Sequence, residues 1–329
     1  MRHIVDLFWY RIRPAHLILY PLSLLFRTGV ALRRLLYRAG ILKTQRLPVP
    51  VIVVGNITVG GTGKTPLVLW LAELLLDAGH HPGIITRGYR GSEKLQEVHA
   101  SSDPAQAGDE AVLLARRRRG PVFTSRDRVA AGRGLLAAHP DCNVLISDDG
   151  MQHYRLARDF EIAVIDGERA LGNGLMLPAG PLREPRSRLR NVDAVVYTGE
   201  QVAHLPRGFG MRLAGGMFTN LLNPSVTRAP GEFHGQRLHA LAGIGNPQRF
   251  FHALSALGLS FRAHPFPDHY AFSRADLEFA DADAVLMTEK DAVKCTAFAQ
   301  DNWWYLPVEA RIDPALGELL LARLRSHLS

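Results

Sequence analysis

The segment VVGNITVGGTGKTP (Val53–Pro66) constrains this chain more than any other stretch. Before it lies LPVPVIVVG, apolar, valine-rich and bounded by prolines, which predicts a buried strand. After Lys64, Thr65 and Pro66 comes LVLWLAELLLDAG, with leucines at helical spacing and Gly79 where the helix should stop. Strand, glycine loop and helix together form a phosphate site: backbone N–H groups converge on the oxygens, and the helix dipole adds its positive end. Thr58, Val59, Gly60, Gly61, Thr62 and Gly63 then form the cradle, Lys64 reaches the β- and γ-phosphates, and the Thr65 hydroxyl takes one site on Mg²⁺. The loop departs from the strict G-x-x-x-x-G-K-[ST] pattern, because Thr58 stands where its first glycine should be. Context rather than pattern therefore carries the expectation of a bound nucleotide.

Further buried-strand candidates follow: HPGIIT (81–86), GPVFTS (120–125), CNVLIS (142–147), FEIAVID (160–166) and VDAVVYT (192–198). Helical stretches such as AGDEAVLLARRR and RDRVAAGRGLLAAH lie between several of them, which argues for a largely parallel sheet covered by helices. A second series begins near residue 235 with QRLHALAGIG, PQRFFHALSALG, LSFRAHPF, ADAVLMTE and NWWYLPVE. The 329 residues suit two domains. The expected division is an amphipathic segment at 1–45, a core domain at 46–215, a linker at 216–235 and a smaller α/β domain at 236–329.

The net charge of +8 is carried almost wholly by arginine and admits nucleic acid, an anionic membrane or a polyanionic small substrate as partner. The run Arg116–Arg119 follows a helical stretch without interleaved aromatics, so it reads as a solvated helix end rather than a nucleic-acid patch. Cys142 and Cys295 have no CxxC partner, which suggests neither a disulfide framework nor a zinc site. Near the N-terminus, leucines and aromatics (Trp9, Tyr10, Tyr20, Phe26) are broken by Arg11, Arg13 and Arg27. The longest uncharged run, Pro14–Phe26, is shorter than the roughly 20 residues a membrane span needs. This composition suits a helix lying in the headgroup region as well as one packed on the protein.

Asp148 and Asp149 close the strand CNVLIS beside the phosphate loop, where such folds hold Mg²⁺. Gln152 and His153 share that loop. TRGYRG brings Arg87, Tyr89 and Arg90 to the same sheet edge, and ligands of open α/β sheets bind at the carboxyl ends of the strands. LPAGPLREP is stiffened by prolines and ends in Arg183 and Glu184. Locally, Asp109 and Glu110 read as acids complementing a helix dipole, and His269 as a histidine in a rigid turn.

VGNITVGGTGKTP, TRGYRG, GDE, DDGMQH, LPAGPLRE, AGIGNPQRFF, FPDHYAF and MTEKDAVKC occur in the order seen in tetraacyldisaccharide 4'-kinases, and over about residues 10–310 the chain resembles that family. The resemblance implies a P-loop NTPase-like three-layer α/β/α domain, a second, smaller α/β domain and a membrane-associated N-terminal helix. It implies transfer of the γ-phosphate of ATP to the 4'-hydroxyl of a tetraacylated disaccharide 1-phosphate, giving lipid IVA in lipid A biosynthesis. It also implies a peripheral enzyme on the cytoplasmic face of the inner membrane, with ATP and Mg²⁺ as cofactors and no nucleic acid or obligate protein partner. By the same resemblance Lys64 and Thr65 hold ATP and Mg²⁺, Asp148, Asp149 and Glu184 lie on the metal side, and Asp109 is the catalytic base with His269 as its partner. Arg87, Tyr89, Arg90, Gln152, His153, Arg183 and Asn246 are candidates to line the site. The remaining alternatives are a P-loop kinase of another small or lipid-linked sugar, a nucleotide-dependent nucleic-acid protein and a P-loop GTPase. TEKD (Thr288–Asp291) is a poor match to a guanine motif, and no nucleic-acid module is recognised.

Overall fold

The computed structural model describes Trp9 and residues 16–89, 91–92 and 94–328. Arg90 lies outside the described residues, as do Tyr10, Arg11 and Arg13 of the amphipathic segment. The first sheet contains β1 (Val51–Gly55), β2 (Pro82–Thr86), β3 (Gln96–Val98), β4 (Val122–Thr124), β5 (Val144–Asp148), β6 (Phe160–Asp166), β7 (Ala194–Thr198) and β8 (Phe209–Ala214). The second is built from β9 (Phe218–Asn220), β10 (Thr227–Arg228), β11 (Leu238–Ala242), β12 (Phe261–Pro265), β13 (Ala284–Thr288) and β14 (Trp303–Leu306). The chain then returns to the first sheet as β15 (Glu309–Ile312), giving the orders β15-β8-β7-β6-β1-β5-β2-β4-β3 and β10-β9-β14-β13-β11-β12.

β1 shows why its sequence is apolar throughout. It pairs in parallel with both β5 and β6, and all five of its residues are buried. Ile52 and Val54 pack with Leu67, Leu71 and Leu75 of the helix Lys64–Asp77. Val51 and Val53 face the opposite layer, with Val129 and Leu135 of the helix Arg128–Ala138. A parallel strand covered on both faces needs a continuous apolar run, not an alternating one. Since β1 lies between β5 and β6, the loops after β1, β5 and β2 emerge together at the carboxyl edge.

The two lobes are divided differently from the sequence expectation. The segment 216–235, expected as a linker, contributes β9 and β10 to the second sheet. At the other end, β15 pairs antiparallel with β8, and the helix Pro314–Leu328 buries Leu316, Leu320 and Leu324 in the first core. Their four-residue spacing places them on one helix face, which drives that return. The arginine run also differs from the expected solvated end. Arg117 pairs with Glu289 at 2.7 Å and Arg116 donates to Thr296 Oγ1 at 2.9 Å, so both join the first lobe to the helix Glu289–Cys295 of the second.

The helix His16–Arg38 touches the body through buried Ser23, whose Oγ donates to Met176 O at 2.8 Å. Ile18 and Leu25 are 77% and 69% exposed, and Leu22, Leu32 and Leu35 are exposed as well. Among the described residues no helix is long and apolar enough to cross a membrane.

Candidate active site

Gly63 sets the shape of the phosphate loop. It precedes the helix Lys64–Asp77 with φ 86°, and a Cβ there would lie 3.0 Å from Thr198 Oγ1, so both backbone and packing require glycine. Thr198 Oγ1 donates to Thr62 O at 2.7 Å and pins the loop to the end of β7. Thr58 is not in the left-handed region; it forms an antiparallel bridge with Leu182. A paired residue of that kind has no need of glycine, which accounts for the departure from the strict pattern.

The proline-stiffened segment around Arg183 splints this loop. Val59 N donates to Pro181 O at 2.8 Å, and Arg183 N to Ile57 O at 2.7 Å. The Arg183 guanidinium donates to Thr58 O at 3.1 Å and to both Asp149 oxygens at 3.1 and 3.2 Å, and it reaches Asn56 Oδ1. Lys64 Nζ lies 3.3 Å from Asn56 Oδ1 and 3.4 Å from Asp149 Oδ1. Thr65 is half-buried at the helix start.

Adjacent acids at the end of β5 have opposite electrostatic fates. Burial would raise the Asp149 carboxyl, but Lys64 and Arg183 outweigh it and hold that group far below the usual carboxylate range. Asp148 is 1% exposed, and its Oδ1 has no hydrogen-bond partner. Burial, with Glu110 and Asp149 adding negative charge, pushes it up to about 7. An orphaned buried carboxylate oxygen beside a phosphate loop suits a divalent cation. Among the described residues no three His, Cys, Asp or Glu side chains form a ready-made cage.

Asp109 opens the helix Asp109–Arg116. It is 6% exposed, and His269 Nδ1 lies 2.8 Å from Oδ2 and 3.1 Å from Oδ1. Burial would raise Asp109, but the His269 hydrogen bond and then the Lys290 charge overrule it, leaving an ionised carboxylate. His269 sits after β12 in the second lobe with φ 57°, and its ring is 5.2 Å from that of Tyr89. The two loops thus meet across the lobes, and two residues that look bland locally form a buried acid–imidazole pair.

Other candidates surround these two centres in different ways. Gln152 Nε2 donates to Asn56 O at 3.0 Å and Glu184 Oε1 at 2.9 Å. Glu184 is 1% exposed and also accepts from Tyr154 OH. His153 Nε2 accepts from Arg128 N at 3.2 Å; burial, then Arg128, lowers it to about 4, so the ring is neutral. Arg87 is half-buried and Asn246 caps the helix Pro247–Ala256. A cavity of about 240 Å³ lies under the N-terminal helix, lined by Arg33, Tyr37, Arg126, Asp127, His153 and Arg155.

Several contributors escaped sequence reasoning. Asn56 was visible only as the residue after β1, yet it joins Lys64, Arg183 and Gln152. Lys290, inside TEKD, reaches Glu110 Oε1 at 2.7 Å. Arg249 crosses between lobes to Asp166 Oδ2 at 2.7 Å. Gly245 lies so near Gly61 that a Cβ on it would stand 2.9 Å from Gly61 N.

A family model described as tetraacyldisaccharide-1-P 4'-kinase matches residues 15–325. The tetraacyldisaccharide 4'-kinase of Methylobacillus flagellatus is 55% identical over 96% of this chain and 94% of its own length. That of an Azoarcus species is 54% identical over 97% and 94%. A crystal structure of LpxK from Aquifex aeolicus in complex with ATP superposes with a TM-score of 0.80 at 31% identity, covering 94% of this chain and 99% of that one.

Proposed function

Because the chain belongs to the tetraacyldisaccharide-1-P 4'-kinase family, we propose that it transfers the γ-phosphate of ATP to the 4'-hydroxyl of tetraacyldisaccharide 1-phosphate, forming lipid IVA in lipid A biosynthesis. The observation that carries the reading is the Asp109–His269 pair, a buried, oriented base at the sheet edge that also bears the phosphate loop. The amides from Thr62 to Thr65 cradle the triphosphate. Lys64 exchanges its contacts with Asn56 and Asp149 for phosphate oxygens. Thr65 and Asp148 would hold Mg²⁺, which neutralises charge on the transferring phosphoryl. Asp149 and Arg183 fix the loop from behind. Glu184, with both oxygens already accepting hydrogen bonds, acts through Gln152. His269 Nδ1–H donates to Asp109 and fixes the carboxylate so that it can take the proton of the sugar hydroxyl.

The same reading places the N-terminal helix on the cytoplasmic face of the inner membrane. Its exposed leucines and isoleucine enter the headgroup region, and the acyl chains of the substrate stay in the bilayer. The arginine-lined cavity under that helix suits the 1-phosphate, for which guanidinium forks are matched partners. The test is transfer of labelled γ-phosphate to tetraacyldisaccharide 1-phosphate in mixed micelles, with Asp109→Ala beside wild type. Transfer that collapses in a variant still binding ATP supports the reading. Folded wild type that binds ATP and transfers nothing to this lipid overturns the choice of acceptor.

A further inference from the structure

The acid–imidazole pair does not stand alone. Lys290, second residue of the helix Glu289–Cys295, places Nζ 2.7 Å from Glu110 Oε1, 3.6 Å from Asp268 Oδ1 and 4.0 Å from Asp109 Oδ2. Asp268 Oδ1 is in turn 3.6 Å from His269 Nε2. Three carboxylates thus crowd one lysine whose side chain is only 18% exposed. Carboxylates at such range cannot all ionise without a cation among them. If Asp109 held a proton it could not serve as a base toward a hydroxyl, and His269 Nδ1–H would face a neutral, weaker acceptor.

We propose that Lys290 is a positioning residue for phosphoryl transfer: it docks the second lobe on Glu110 and its charge keeps Asp109 ionised toward His269. The inference rests on Asp109 serving as the base. Among the described residues, the groups placed around Asp109 are His269, Asp268, Glu110, Tyr89, Lys290 and Lys294. Lys294 is paired with Asp291 at 2.6 Å, whereas Lys290 brings Nζ to 4.0 Å from Asp109 Oδ2. Burial pushes Asp109 toward protonation; the His269 hydrogen bond and then the Lys290 charge oppose it.

The experiment compares Lys290→Met, Lys290→Arg and Lys290→Gln with wild type. Long-range proton–nitrogen NMR of protein labelled at histidine follows His269, identified by its loss in His269→Gln, while Asp109 titrates without substrate. The acid limb of kcat/KM for the lipid is measured in parallel. Lys290→Met is expected to raise both midpoints by about one to three pH units. Lys290→Arg returns them toward wild type, and Lys290→Gln, which lacks the charge, raises them as methionine does. A merely structural lysine would reduce activity without moving either midpoint. An unmoved midpoint in Lys290→Met, or an arginine variant that behaves like methionine, overturns the proposal. Should Lys290→Met not fold, Lys290→Gln decides, since it can keep a hydrogen bond to Glu110 without the charge: an unmoved midpoint overturns it. Wild type that fails to phosphorylate the lipid sinks the kinase reading, while the His269 midpoint still scores the hold of Lys290 on Asp109.

Discussion

Replacing Asp148 by asparagine should make the metal-free protein more stable while destroying its activity. In the folded protein Asp148 titrates near 7, against 3.8 for an ordinary aspartate. Between those two values the unfolded chain has lost a proton that the folded protein keeps. Stability therefore falls as pH rises through that window, and the full cost is present above pH 7. About three pH units at 1.36 kcal/mol each give a ceiling of about 4 kcal/mol. The amide of asparagine arrives at a position where Oδ1 already lacks a partner, and a buried unsatisfied group costs about 1–3 kcal/mol. The expected net gain above pH 7 is about 1–3 kcal/mol, or several degrees in the melting midpoint.

The assay is thermal unfolding of wild type and Asp148→Asn in chelator at pH 4, 6 and 8. The difference between the two should grow with pH, since asparagine has no charge to bury. In Mg²⁺ and ATP the wild type should recover the deficit and the variant should gain less, because its cation ligand is gone. A difference independent of pH, or a variant that melts below wild type at pH 8, would refute the account of Asp148 as a buried charge awaiting a cation.

Asp109→Asn keeps the shape of the side chain but not its basicity, so kcat should fall about 10²- to 10⁴-fold with ATP affinity by calorimetry nearly unchanged. Arg117→Ala removes the hydrogen-bonded cation of Glu289, which is 14% exposed and keeps Arg116 nearby. Loss of a charge-assisted hydrogen bond at such a part-buried site costs about 1–3 kcal/mol, and the melting midpoint should drop accordingly, while Arg119→Ala, at an exposed pair, should change little. Ile18→Glu with Leu25→Glu should abolish sedimentation with anionic vesicles yet leave ATP binding intact; vesicle binding that survives both charges would argue against the interfacial helix.

What was legible in the sequence follows from what is local. β6 reads directly from FEIAVID (160–166) because a strand buried on both faces writes itself as a continuous apolar run. The loop from Thr58 to Thr65 reads from its flanks for the same reason. β15 and the helix Pro314–Leu328 join the first lobe rather than the expected second, because pairing with β8 across nearly a hundred residues leaves no local signature. Asp109 and His269 are 160 positions apart; each has a plausible local role, and only the resemblance to a family joined them. Lys290 shows the limit most plainly. It stood inside a quoted motif, yet its meaning depends on three carboxylates from two other segments.

The backbone explains why such sites resist a local reading. Four non-glycine residues among those described hold a positive φ: Arg118, Asp149, Ala170 and His269. Two of them, Asp149 and His269, lie in the candidate site. A non-glycine residue in that region costs of order 1–3 kcal/mol and persists only where its surroundings over-determine it. For Asp149 the surroundings are Arg183 and Lys64; for His269 they are Asp109 and the Gly243 carbonyl, to which its N–H donates at 3.1 Å. Every side chain in that support comes from a distant segment, and Asp109 from the opposite lobe. The geometry at Asp149 therefore needs only the first lobe, whereas that at His269 is supported by Asp109 only once both lobes are folded and docked. The lobes are joined by Arg249–Asp166, Arg117–Glu289 and Lys290–Glu110, so these ion pairs fix the arrangement in which His269 meets Asp109.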